Sequence, residues 1–216
     1  MKKFLLLSFF LIQTGLYAQE KSDWDIGIVF SIDQLSMADG RFGKDYLVTN
    51  DNLNGYAVDF DQVNFSLGLS SEYHIQKKLS LSSGIMFSNK DFTGTYNCAI
   101  CIIPLVGYFI PNPETIKQQF LTIPLSLNYS LSTGKFIPVL TGGFRNNIEI
   151  KNDLKKQSRG YFLEGFVGAS INYAFIEKLN AGIDYRYQTA LSDLYKTDDF
   201  KLRTSSFFLQ VSYSLR

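Results

Sequence analysis

Eight segments of this chain alternate apolar and polar residues with a period of two, and the polar partners are mostly Ser, Gly and Asn. In residues 63–75, Val63, Phe65, Leu67, Leu69, Tyr73 and Ile75 fall on one side, and Asn64, Ser66, Gly68, Ser70, Glu72 and His74 on the other. A period of two sends successive side chains to opposite faces of a sheet. An even number of such strands, joined by connections that are alternately long and short, predicts an all-β fold. The expected architecture is an eight-stranded antiparallel up-and-down barrel that crosses a membrane with its apolar face on lipid.

The first strand runs over 24–33, with Trp24, Ile26, Ile28, Phe30 and Ile32 on the apolar face. After a polar stretch at 34–61, the second strand (62–75) turns tightly through Gln76-Lys77-Lys78 into the third, which carries Leu79, Leu81, Ile85 and Phe87. A long excursion at 91–118 precedes the fourth, with Leu121, Ile123, Leu125, Leu127 and Tyr129. Ser132-Thr133-Gly134-Lys135 then turns into the fifth. The sixth begins at Tyr161, the seventh at Leu179, and the eighth carries Phe207 to Leu215. Long connections on one side and short turns on the other place the short turns and both chain ends in the periplasm.

A soluble ligand-binding barrel would turn the same apolar face inward. Aromatic placement argues for lipid. Trp24, Tyr73, Tyr129, Phe136, Tyr173 and Tyr213 lie on the apolar face near the short turns, and Phe30, Phe87, Phe144, Tyr161 and Tyr187 near the long connections. Two aromatic belts separated by aliphatic residues match the two interfaces of a bilayer. Composition agrees: 15% of residues are aromatic and only 19% charged, fewer charges than a water-facing wall normally carries.

Lys2 and Lys3, the apolar run Phe4 to Ile12 and the small-residue exit at Ala18 read as a secretory signal covering 1–18. That leaves a mature barrel domain at 19–216. The net charge is +1 with no basic stripe, so nucleic acid is not an expected partner.

Phe120-Leu121-Thr122-Ile123-Pro124-Leu125-Ser126-Leu127-Asn128-Tyr129 and Ile183-Asp184-Tyr185-Arg186-Tyr187-Gln188-Thr189-Ala190-Leu191-Ser192-Asp193 resemble the fourth- and seventh-strand motifs of the PorT-like outer-membrane β-barrel family of Bacteroidetes, as does the Ala18-Gln19 junction. The resemblance covers the mature chain and implies a bacterial outer-membrane location. Its motifs are structural and imply no activity. The chain departs from the common aromatic ending by finishing in Arg216, so recognition by the outer-membrane assembly machinery is expected to use Tyr213 and Leu215.

Eight strands enclose a space that side chains just fill, here expected to be polar ones, which argues against an open channel. The polar face brings Arg145, Glu164, Asp184 and Arg186 inward, and an ion-pair cluster of these four is predicted, with Arg145 opposite Glu164. Pro124 has no N–H for the ladder and is expected across from Gly143, at a bulge. No metal site, cofactor or enzymatic activity is expected: the single histidine, His74, lies at the periplasmic mouth without a nucleophile–base pair. Cys98 and Cys101 are read as a small disulfide loop, with free thiols next and a metal site a distant third.

The run 99–110 is almost wholly apolar in a connection that should face outward, so Ile100, Ile102, Ile103, Leu105, Val106 and Phe109 are candidates for a surface contact with a protein partner. Upward extension of the strands and a lid over the mouth are the competing readings. The function expected is that of a monomeric barrel in outer-membrane lipid with a structural or surface-interaction role. A narrow transporter of small or hydrophobic molecules and a component of a secretion assembly are the alternatives.

Overall fold

A computed structural model describes residues 24–37, 46–50, 54–98, 112–176, 178–196 and 200–215. The signal segment, Cys101 and residues 99–110 lie outside that set, as does the side chain of Cys98.

The barrel strands are β1 (Trp24–Met37), β4 (Asn64–Gln76), β5 (Leu79–Asn89), β8 (Gln118–Ser130), β9 (Phe136–Asn152), β10 (Tyr161–Ile176), β11 (Leu179–Ala190) and β12 (Leu202–Ser214). They close in the order β1-β12-β11-β10-β9-β8-β5-β4, each antiparallel to its neighbours, so that β1 pairs with both β12 and β4. The remaining strands are β2 (Tyr46–Asn50), β3 (Asn54–Asp59), β6 (Phe92–Cys98) and β7 (Glu114–Ile116). They form a separate four-stranded sheet, β2-β3-β6-β7.

The alternation in sequence becomes an inside-out wall. Along β1, Ile26, Ile28 and Ile32 are about half exposed on the outer surface, while Ser31 and Asp33 are buried in the lumen. Outward rings meet in two belts, Trp24–Tyr73 and Phe136–Tyr173 near the short turns, Phe30–Phe65 and Phe65–Phe87 towards the long connections. An apolar exterior around a polar interior is the arrangement of a barrel bathed in hydrocarbon.

Three sequence expectations need correction here. The connections 34–61 and 91–118 carry strands that the alternation did not predict: among their described residues lies the second sheet, because Leu47, Val58, Phe92 and Ile116 have an apolar core to enter. The lumen is not lined by polar side chains alone, since Val29, Met86, Phe120, Phe162, Phe166 and Phe208 are buried inside it. Finally, Pro124 lies across from Arg145, and Ser126 takes the place opposite Gly143. The turn before β9 is wider than expected, with the Leu131 amide donating to the Pro138 carbonyl; the resulting slip of two residues preserves every side chain's face.

No bulge accompanies Pro124; the β8–β9 irregularity falls at Gln119/Phe120. On the other flank, the β5–β8 ladder lapses between Ser83–Leu125 and Met86–Thr122. The Ser83 hydroxyl donates to the Pro124 carbonyl at 2.9 Å, satisfying the acceptor that the ladder leaves over. Ser83 sits on the outer face in sequence parity with Leu81 and Ile85. In hydrocarbon no water can replace it.

Ser83→Ala is therefore expected to destabilise the barrel by about 1–3 kcal/mol, the cost of one unsatisfied buried carbonyl. Urea titration of the folded protein in lipid vesicles, followed by heat-dependent gel mobility, reads this directly. By the same assay Ile28→Arg, a charge in the middle of the outer wall, is expected to cost about 2–4 kcal/mol.

Candidate functional site: a charge-neutral layer under a capped mouth

The two elements that distinguish this barrel lie at its long-connection end. Leu47, Val58, Phe92 and Ile116 from the second sheet form one buried cluster with Phe120, Leu154, Phe162, Leu194, Tyr195, Phe200 and Leu202. Phe92 and Phe200 have ring centroids 6.0 Å apart, Phe60 lies 6.1 Å from Phe92, and Phe120 meets Phe162 edge-on at 5.3 Å. The strand ends, the connection 153–160 and the described residues 191–196 and 200–201 close over the mouth together. Ser158 bridges to Tyr195, and the Arg159 amide donates to the Leu194 carbonyl. Burial pushes the Tyr195 hydroxyl well above the ordinary phenol range; Gln118 Nε2 donates to it. At the rim, Thr93 and Gln62 donate to exposed Asp61 and hold its carboxyl below the usual range.

Directly beneath lies a layer of buried charge. Lys90 Nζ is 3.0 Å from Glu164 Oε1, both side chains being fully buried, and it also donates to Thr204 at 3.1 Å. Asn147 donates to Glu164 Oε2 at 2.8 Å and accepts from Thr122 at 2.8 Å. Arg145 donates to Gln188 and, more weakly, to Ser66 at 3.4 Å. Gln188 in turn donates to Ser206. Asp33 accepts from Ser66 at 2.6 Å and from Ser31 at 2.9 Å, and Ser66 also reaches Ser88. Asp33 (β1), Ser66 (β4), Ser88 (β5), Thr122 (β8), Arg145 (β9), Glu164 (β10), Gln188 (β11) and Ser206 (β12) show that all eight barrel strands contribute. Two cations, Lys90 and Arg145, face two anions, Asp33 and Glu164, so the layer is neutral.

The four predicted lumen charges divide between two places. Arg145 and Glu164 are register partners, as expected. The carboxylate nevertheless takes Lys90 as its ion-pair partner, and Arg145 turns to Gln188 and Ser66. Asp184 and Arg186 pair with each other at 2.6 Å, nearer the short turns. The Arg186 guanidinium lies 4.4 Å from the Phe208 ring centre and 5.0 Å from that of Phe166. Lys90 lies one residue past β5, and Asp33 ends the predicted first strand although β1 runs on to Met37; both were missed, yet parity marks both: Lys90 continues Ser80, Ser82, Gly84, Met86 and Ser88, and Asp33 continues Asp25 to Ser31.

At the short-turn end, Asp25 accepts from Ser214 at 2.6 Å and lies 3.1 Å from His74 Nε2. Glu72 accepts from Ser80 and from Asn128, the latter at 3.3 Å. Among the described residues no three His, Cys, Asp or Glu side chains gather in a way that could hold a metal ion.

A family model described as the outer membrane protein beta-barrel domain matches residues 4–214. The chain belongs to this family. The barrel is accordingly one of the bacterial outer membrane. Among solved structures it is similar to Neisserial surface protein A, with 13% identity, 91% of this chain and 100% of that one covered, and a TM-score of 0.56. It is also similar to outer membrane protein W of E. coli, with 13% identity, the same 91% and 100% coverage, and a TM-score of 0.50. At such identity the likeness speaks to the fold alone. No curated protein sequence matches the chain.

Lys90→Met is expected to lower the stability of the outer-membrane barrel by about 3–5 kcal/mol, because Glu164 then stays buried without a counter-charge. Adding Glu164→Gln should restore a large part of that loss. A double-mutant cycle on urea midpoints checks the coupling; purely additive losses would show that the two ions act independently.

Proposed function

We propose that this outer-membrane barrel is a closed scaffold that presents its outward-facing cap as an interaction surface. The observation carrying this reading is the stack of two seals across one lumen: the aromatic cap core, and below it a fully buried ionic layer drawn from every strand. A solute crossing the barrel would have to separate Lys90 from Glu164 and displace Phe120 and Phe162, which are wholly buried. The transporter alternative requires more than this lumen offers at rest.

In this reading residues 1–18 direct export and are removed, and the barrel reaches the membrane through the outer-membrane assembly machinery. It then stands as a monomer in lipid, in the PorT-like branch of its family. The apolar run holding Ile100, Ile102, Ile103, Leu105, Val106 and Phe109 is inserted between β6 and β7 of the cap, where a protein partner would meet it. No step of chemistry is assigned to the barrel.

Planar-bilayer recording tests the closed state. Purified protein is expected to add no stepwise current to a bare membrane; reproducible single-channel steps would transfer the argument to the transporter alternative.

A further inference from the structure

Below the ionic layer the lumen is hollow. One small chamber, of about 50 Å³, is bounded by Val29, Met86, Asp184 and Arg186. A second, of about 390 Å³, reaches the short-turn end, where Asp25, His74, Lys135 and Ser214 border it. Both are lined by Glu72, Val139, Asn172, Gly182 and Gln210, so they adjoin along one wall. With the cap and the ionic layer sealing the outer end, this double chamber is a cup open to the periplasm.

Its wall holds an acceptor that the protein leaves without a donor. Asp184 is only 6% exposed; its Oδ2 takes the Arg186 Nε–H, and its Oδ1 has no hydrogen-bond partner. Arg186 is poorly placed to serve both oxygens, because its guanidinium lies against the Phe166 and Phe208 rings. A buried carboxylate oxygen of this kind is costly unless something donates to it. Glu72, further towards the periplasm, receives hydrogen bonds from the neutral Ser80 and Asn128. The other charged groups on the wall are Asp25, engaged by His74, and Lys135 at the rim.

We propose that this cup binds a small, elongated aliphatic amine from the periplasm, with one ammonium on Asp184 Oδ1 and a second, where present, towards Glu72. The carboxylates exclude an anion. They stand apart along the wall, and among the described residues none belongs to a group of three that could hold a metal ion, so a bare cation has no cage here. A chain of methylenes carrying N–H donors suits this lining: the carboxylates of Asp184 and Glu72, the apolar Val139 and Met86, and serine hydroxyls and asparagine amides share one wall. This inference goes beyond the scaffold reading and involves neither cap nor conduction, so its failure would leave that reading untouched.

The test is calorimetric titration of the whole folded barrel, in detergent micelles, with 1,4-diaminobutane, using 1,4-butanediol and magnesium chloride as controls. Saturable binding of the diamine alone is expected. Asp184→Asn and Glu72→Gln should each weaken it about tenfold or more, the loss of one charge-assisted hydrogen bond. If Asp184→Asn does not fold, Glu72→Gln carries the comparison, with folding checked by gel mobility. Absence of saturable diamine binding, equal binding of magnesium or the diol, or unchanged affinity in the folded variants would overturn the proposal.

Discussion

Hydrocarbon offers no hydrogen bonds, so a sheet placed in it can have no free edge. The rest of this structure follows from that constraint. β1 pairs with β4 on one side and β12 on the other, and the ring closes without an edge strand. Once it is closed, apolar side chains face lipid, and polar ones must satisfy each other inside a narrow lumen. At Pro124 the ladder lapses, and a hydroxyl from the neighbouring strand, Ser83, donates to its carbonyl from the outer face. A serine in an otherwise apolar outward row is thus part of the backbone's hydrogen bonding.

The lumen meets the same requirement twice, in different ways. In its outer half the charged groups are drawn into contact: Lys90 with Glu164, Arg145 with Gln188, Asp33 with two serines, and an aromatic core above them. Buried ion pairs add little net stability beside apolar packing, yet they penalise any arrangement that separates them. Here they tie groups from different strands together across the lumen. In the inner half the side chains are shorter, largely Ser, Asn and Gly, and the wall encloses space instead of filling it. The two halves suit different tasks, a rigid base for the cap outside and a recess facing the periplasm.

The strand pattern was readable because lipid enforces it residue by residue. Alternation at Trp24 to Ile32, or Phe65 to Tyr73, fixes faces, and faces fix closure. The cap was harder to read. Leu47, Val58, Phe92 and Ile116 are isolated apolar residues in polar surroundings, and only the tertiary core explains their company. Charge partners were half legible. Parity put Arg145, Glu164, Asp184 and Arg186 inside, but the choice of Lys90 over Arg145 depends on side-chain reach across the lumen, which sequence spacing does not encode. Phe120, Phe162 and Phe208 held the polar parity throughout, and that mismatch was the available sign of an apolar seal.

The chain contains a single tryptophan, Trp24, placed on the outer wall beside Tyr73 at the short-turn belt. Its fluorescence in vesicles built from brominated phospholipids tests the orientation of the whole wall. Strong quenching by bromine near the headgroups, weaker quenching by bromine deep in the acyl region and little by aqueous iodide is the predicted result. Ready quenching by iodide with none from any brominated lipid would contradict it, since the apolar faces would then be turned away from the membrane.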